Sequence, residues 1–173
     1  IVKLNTVFDK GAKTISINPE TIKYKYVSES AYSYGIESSP SIYEKYMYFT
    51  DNAGMLICLD LESLKILWAY NTGDDTDASV VLDVTEEGVF LYTANEVDIR
   101  GRDDNSNIRK FNALTGELLW QVDVPVFYVD VINGGALASP VIGKGPIENL
   151  VIFNICKTLE DSIWAGRLIA IDK

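Results

Sequence analysis

The chain has 173 residues, 47% hydrophobic and 23% charged, a balance that suits one sizeable globular domain with a real core. It carries 25 acidic against 15 basic residues, a net charge of −10, and such a surface repels phosphate backbones and anionic bilayers, which argues against nucleic acid as a partner. It has no histidine, so a Ser–His–Asp triad, a Cys–His pair and a histidine-based zinc site are all excluded within the chain.

No apolar run approaches the roughly 18–20 residues that span a bilayer, so no membrane span is expected. The chain opens on Ile1 without a secretory leader, as expected of a processed chain or a piece of something longer. The two cysteines, Cys58 and Cys156, each lie in an apolar, strand-like run and read as small buried hydrophobes; their spacing asks for no disulfide.

In chain order, residues 1–8 read as a strand. Residues 14–26 (TISINPETIKYKY) then form the first copy of a repeat. A polar connection, residues 28–39, leads to a strand starting at Ser39-Pro40-Ser41-Ile42, followed by the short aromatic run 46–50 (YMYFT). The second copy is 56–68 (LICLDLESLKILW). After the connection 71–78 the order recurs: Ala78-Ser79-Val80-Val81, then 89–93 (VFLYT), an insertion at 96–107 (EVDIRGRDDNSN), and the third copy, 108–120 (IRKFNALTGELLW). The long connection 121–138 precedes Ser139-Pro140-Val141-Ile142 and 150–154 (LVIFN), and a fourth copy begins at 168–173 (LIAIDK). No segment shows a helical period with caps.

A short polar anchor recurs at Asn18, Asp60, Asn112 and Asp172, at intervals of 42, 52 and 60 residues. Its side chain suits the opening of a tight turn, with Gly116 in a left-handed conformation closing the turn after Asn112. Ile22 and Leu64 take that glycine's place in two other copies. A β-branched residue disfavours positive φ, so the turn at Ile22 is expected to differ. Each unit thus reads as four antiparallel strands: A from Ser39, B from Tyr46, C from Leu56 and D from Ile66. Repetition of such units makes an all-β propeller.

The run Asn112-Ala113-Leu114-Thr115-Gly116-Glu117-Leu118-Leu119-Trp120 resembles the tryptophan-docking repeat of pyrroloquinoline-quinone-like (quinoprotein-type) propellers. So, more loosely, do Cys58-Leu59-Asp60 through Trp68 and Ala170-Ile171-Asp172. The resemblance covers essentially the whole chain. It implies that Trp68 and Trp120, with Asp60, Asn112 and Gly116, are structural residues tying adjacent blades together. It also implies a single partial propeller over 1–173, with blade remnants at 1–27, 39–70, 78–122 and 138–173. About three and a half blades are present, so the chain is expected to be a fragment of a longer propeller or to complete a ring with further copies.

Quinone-dependent dehydrogenases of this family hold the quinone and a calcium ion over the propeller axis. No residue set carries over here: Trp68 and Trp120 are assigned to docking, and Trp164 reads as a loop residue covering the sheet. No cofactor is therefore expected in this chain, and a quinone with calcium would belong to the complete protein. Asp98, Asp103, Asp104 and Asn105, with Asn107, are hard oxygen donors of the kind calcium takes, although their spacing does not match the calcium-loop pattern. The strand D to strand A connections bring Tyr32, Tyr34, Asp74, Asp75, Asp77, Tyr128 and Asp130 toward one loop face, which suits a protein, peptide or glycan partner. The expected function is a non-catalytic scaffold or binding module; by family resemblance its place is the cell envelope or the exterior. The alternative is part of a quinone- and calcium-dependent dehydrogenase with its cofactor residues on other blades. A third reading is a structural spacer.

Overall fold

The computed structural model describes residues 1–21, 35–98, 104–127, 133–158 and 165–173. Ile22 and Tyr26 lie outside these. The fold is all-β and antiparallel, a partial β-propeller. Its first complete blade is β3 (Ser41–Tyr43), β4 (Tyr46–Thr50), β5 (Met55–Asp60) and β6 (Ile66–Asn71), paired in chain order. The next is β7 (Val81–Thr85), β8 (Gly88–Ala94), β10 (Asn105–Asn112) and β11 (Leu118–Pro125), again in order. A third sheet holds β13 (Val141–Ile142), β14 (Leu150–Cys156) and β15 (Gly166–Asp172). Ahead of all three lies a two-stranded hairpin, β1 (Val2–Asp9) and β2 (Thr14–Thr21).

The hairpin corrects one expectation. Asn18 does not open a turn; it lies in the middle of β2, opposite Asn5. The turn is made by Asp9, whose Oδ1 accepts the backbone N–H groups of Gly11 at 2.8 Å and Ala12 at 3.0 Å, and Lys13 follows at φ 55°. Asp60 does the same with Glu62 and Ser63 (2.9 and 2.8 Å), followed by Leu64 at φ 57°. Asn112 repeats it with Leu114 and Thr115 (3.0 and 3.2 Å), followed by Gly116 at φ 76°. A carboxylate or amide oxygen satisfying two turn N–H groups is what fixes this loop, so a non-glycine residue is held in the left-handed region twice. With Asp9 as anchor the first two intervals become 51 and 52 positions. The first hairpin therefore matches the third and fourth strands of a blade, not its second and third.

Blades pack face to face. Tyr48, Leu56 and Cys58 of one blade meet Val89, Leu91, Phe111 and Ala113 of the next. The opposite face of that second blade, with Tyr92, Ala94 and Ile108, meets Val151, Phe153 and Ile155. This is why the runs 46–50 and 89–93 in β4 and β8 are apolar on both faces: each strand is buried from two sides. Fully burying one such side chain contributes about 1.5–3 kcal/mol.

Three polar devices tie successive blades. The Trp68 indole N–H donates to the Ala113 carbonyl at 3.1 Å, and the ring lies over Gly116, where an added Cβ would come within 2.6 Å of it. A register shift at Cys58/Leu59 aims Trp68, and the same shift recurs at Lys110/Phe111 beside Trp120. Trp68 leans on Tyr48 and Trp120 on Tyr92, each pair of rings 6.0 Å apart. On the inner strands, the Ser39 N–H donates to Ser79 Oγ at 2.8 Å and the Ser79 N–H to Ser139 Oγ at 3.1 Å. Arg109, buried in β10, donates to the Thr72 carbonyl of the preceding blade at 3.0 Å.

The insertion after β8 is more than a hairpin tip. Its first residues form β9 (Glu96–Val97), which pairs with β12 (Gly134–Gly135), and Gly135 pairs with Cys156 of β14. The insertion thus stitches the second complete blade to the third sheet. Gly134 and Gly135 let the backbones close up: a Cβ at Gly135 would lie 2.9 Å from the Asn95 carbonyl, and one at Gly134 would collide with that of Phe127.

Candidate functional site: a buried carboxylate group

At the end of the strands opposite the Asp60 and Asn112 turns, four segments converge. These are the stretch before β3, the β4–β5 turn, the β6–β7 connection and β9 with the residue after it. Asp75, Glu96 and Asp98 each offer a carboxylate oxygen there, all within 4.8 Å of one another. Asp75 and Glu96 are buried, Glu96 to 1% exposure. The chain accepts this crowding because the backbone fixes it: the Glu96 N–H donates to the Asp75 carbonyl at 3.0 Å, and the Thr76 N–H to Asp75 Oδ1 at 2.7 Å.

The surroundings are carboxylates and amides. Asn52 Nδ2 donates to Asp75 Oδ2 at 3.2 Å, and Asn133 Nδ2 donates to Glu96 Oε1 at 3.1 Å. Asn52 Oδ1, Asp77 Oδ1 and Glu96 Oε2 are buried and accept no hydrogen bond. Burial pushes the Glu96 carboxyl up to about 8, with the charges of Asp77 and Asp75 adding to it. Burial likewise raises Asp74 to about 7, with a hydrogen bond to Asp98 contributing, and Asp77 to about 6, with a hydrogen bond to Glu37 contributing. Beside the group a polar cavity of about 90 Å³ is lined by Thr72, Gly73, Asp74, Asn95, Val97, Asn105 and Asn107.

The residues read from sequence divide as follows. Asp74, Asp75 and Asp77 come together, with Asp74 and Asp75 buried rather than displayed on a loop face. Asp98 joins Asp75 and Glu96. Asn105 and Asn107 line the adjacent cavity, whereas Asp104 is exposed and belongs to no such carboxylate group among the described residues. Tyr32, Tyr34, Asp103, Tyr128, Asp130 and Trp164 lie outside the described residues. Sequence reasoning missed Glu96, Asn52, Glu37 and Asn133. The available signal was Glu96 itself, an acid set directly between the apolar run of β8 and Val97.

No protein-family model matches this chain. It is 25% identical over 105 residues to the outer membrane protein assembly factor BamB of Francisella tularensis subsp. tularensis. The match covers 56% of this chain and 20% of that protein, so the chain spans about a fifth of the relative's length. Among solved structures, the quinohemoprotein alcohol dehydrogenase ADHIIG from Pseudomonas putida HK5 is similar at 17% identity and a TM-score of 0.48, over 77% of this chain and 24% of that one. A computationally designed protein, Ika4, aligns at 11% identity and a TM-score of 0.29, over 87% of this chain and 99% of that one. The sequence relationship supports the pyrroloquinoline-quinone-like propeller family, not a specific member of it.

Proposed function

We propose that this chain is part of a non-catalytic propeller scaffold that works by holding protein partners. One observation carries the reading: the blades are locked to one another, while the faces at the two ends of the stack are apolar and open. On one face of the first hairpin Val2, Leu4, Phe8, Ile15 and Ile17 are each more than half exposed, and on the last sheet Val141 and Leu168 are too. An apolar sheet face of that extent marks an interaction surface. Further blades, in the same chain or in other copies, are the occupants that fit it. The relation to an assembly factor of the outer membrane supports both a protein partner and a place in the cell envelope.

Light scattering behind a sizing column tests the covered faces. The expected result is a discrete assembly of this chain that Phe8→Asp with Ile17→Asp disperses. A stable monomer that fails to bind an apolar dye would sink the idea.

A second reading, a piece of a quinone- and calcium-dependent dehydrogenase, is favoured by the carboxylate group alone. Trp68 and Trp120 are engaged between blades and offer no free stacking plane for a quinone. Bound-quinone absorbance in the complete protein separates the two readings.

A further inference from the structure

We propose that Asp75, Glu96 and Asp98 form a binding site for a hard divalent cation, calcium in the first instance, with Asn52 orienting the Asp75 carboxylate. The site is not a consequence of the scaffold reading and stands or falls separately from it.

Three carboxylate oxygens within 4.8 Å of one another are close enough to share one ion and too close to coexist comfortably without one. Acidic residues gather on many surfaces, but here the decisive groups are buried. Glu96 is only 1% exposed, and its Oε2 accepts no hydrogen bond. Asn52, 8% exposed, turns its Nδ2 to Asp75 and its Oδ1 toward Gly35, and so orients the Asp75 carboxylate. A buried polar atom without a partner is costly, and an orphaned carboxylate oxygen within such a group is one that a bound cation would satisfy. The donors are all oxygens, with neither sulfur nor imidazole among them, which selects a hard ion over zinc or copper.

The site is held from several directions. Glu96 is fixed by the β9–β12 pairing and by Asn133, Asp75 by the Thr76 N–H, and Asn52 by its backbone N–H bond to the Gly35 carbonyl. Among the described residues Glu37, Asp74 and Asp77 also face it and are acidic, while the buried Arg109 lies across the adjacent cavity, bonded to Thr72, Asn95 and Asn107.

Isothermal titration of the chelator-stripped chain with calcium, at pH 8, tests the site, with melting curves recorded in parallel. Saturable binding at or below roughly millimolar calcium is expected, with a rise in melting temperature. Glu96→Gln should weaken binding by about tenfold or more and remove the rise, while circular dichroism shows the sheets intact. Asp104→Asn, a change to an exposed acid outside the group, should bind as the parent does. No heat and no thermal shift in the parent chain overturns the proposal. So does a Glu96→Gln chain that binds like the parent, or an Asp104→Asn chain that loses binding equally.

Discussion

The two ends of the strands treat their acids in opposite ways. At one end Asp60 accepts backbone N–H groups from Glu62 and Ser63 and pairs with Lys45 at 3.2 Å; the Ser63 N–H above all brings its carboxyl down to about 2. At the other end Glu96, Asp74 and Asp77 face amides and one another, and their carboxyls are pushed up. A carboxylate that answers every nearby donor is part of what holds a turn. A carboxylate left buried among its own kind costs stability, and a fold keeps such groups where something else is gained. The first end is shut, and the second is where the proposed cation would sit.

The comparison breaks most visibly at the shut end. Trp68→Ala removes the ring over Gly116 and the bond to Ala113, and a loss of about 3–5 kcal/mol in urea denaturation is expected. Gly116→Ala puts a methyl into that ring at a φ of 76°, and a cost of about 2–4 kcal/mol is expected. The double variant should cost less than the sum, because removing the ring removes the collision; strict additivity would show that the two do not touch.

At the open end the sign reverses. Glu96→Gln should stabilise the cation-free chain at pH 8 by about 1–2 kcal/mol, after discounting for water reaching the site. The pH profile follows from the same shifts. Below about 4 these carboxyls are protonated in both folded and unfolded chains. As the pH rises toward 8 the unfolded chain sheds protons that Asp77, Asp74 and Glu96 keep, with folded values of about 6, 7 and 8. Stability should therefore fall across that window and level off above it. A chemical-denaturation midpoint that rises from pH 5 to 8 would contradict the shifts. Asp60 acts oppositely: its depressed value means that stability is lost only as the pH drops below about 4 toward 2. The smallest effect expected is Asn112→Ala, about 1 kcal/mol, from two turn N–H groups left to water.

Much of the shut end was legible in the sequence, because a repeated loop carries its chemistry locally. Asp60, Asn112 and Gly116 announce their turns, and the β-branched and aromatic runs announce the strands between. The first unit misled because Asn18-Pro19 looks like a turn opening. Asp9 with Gly11 was the real signal, lying between two alternating runs. Leu64 shows why a glycine count is a poor guide: the Asp60 side chain holds the loop, so a leucine adopts φ 57° and buries its side chain against Met47 and Phe49. The open end was legible only in pieces. Asp75 and Asp98 were named for different reasons, and nothing local joins them. They meet because β9 pairs with glycines 37 and 39 positions away, a pairing that two residues of strand cannot announce.

The serine bonds of the inner strands run one way. Each earlier blade gives its N–H and each later blade receives it on a hydroxyl, and Trp68 follows the same sense. Arg109 sends one bond the other way, to Thr72, so each blade presents two different faces that are not interchangeable. Contacts of this kind are heterologous, and they close only by rotation in a single direction. A two-fold dimer joining like ends cannot continue them. If copies of this chain complete the ring, the symmetry must be cyclic, head to tail; if other blades complete it, they must enter the chain in the same rotational order.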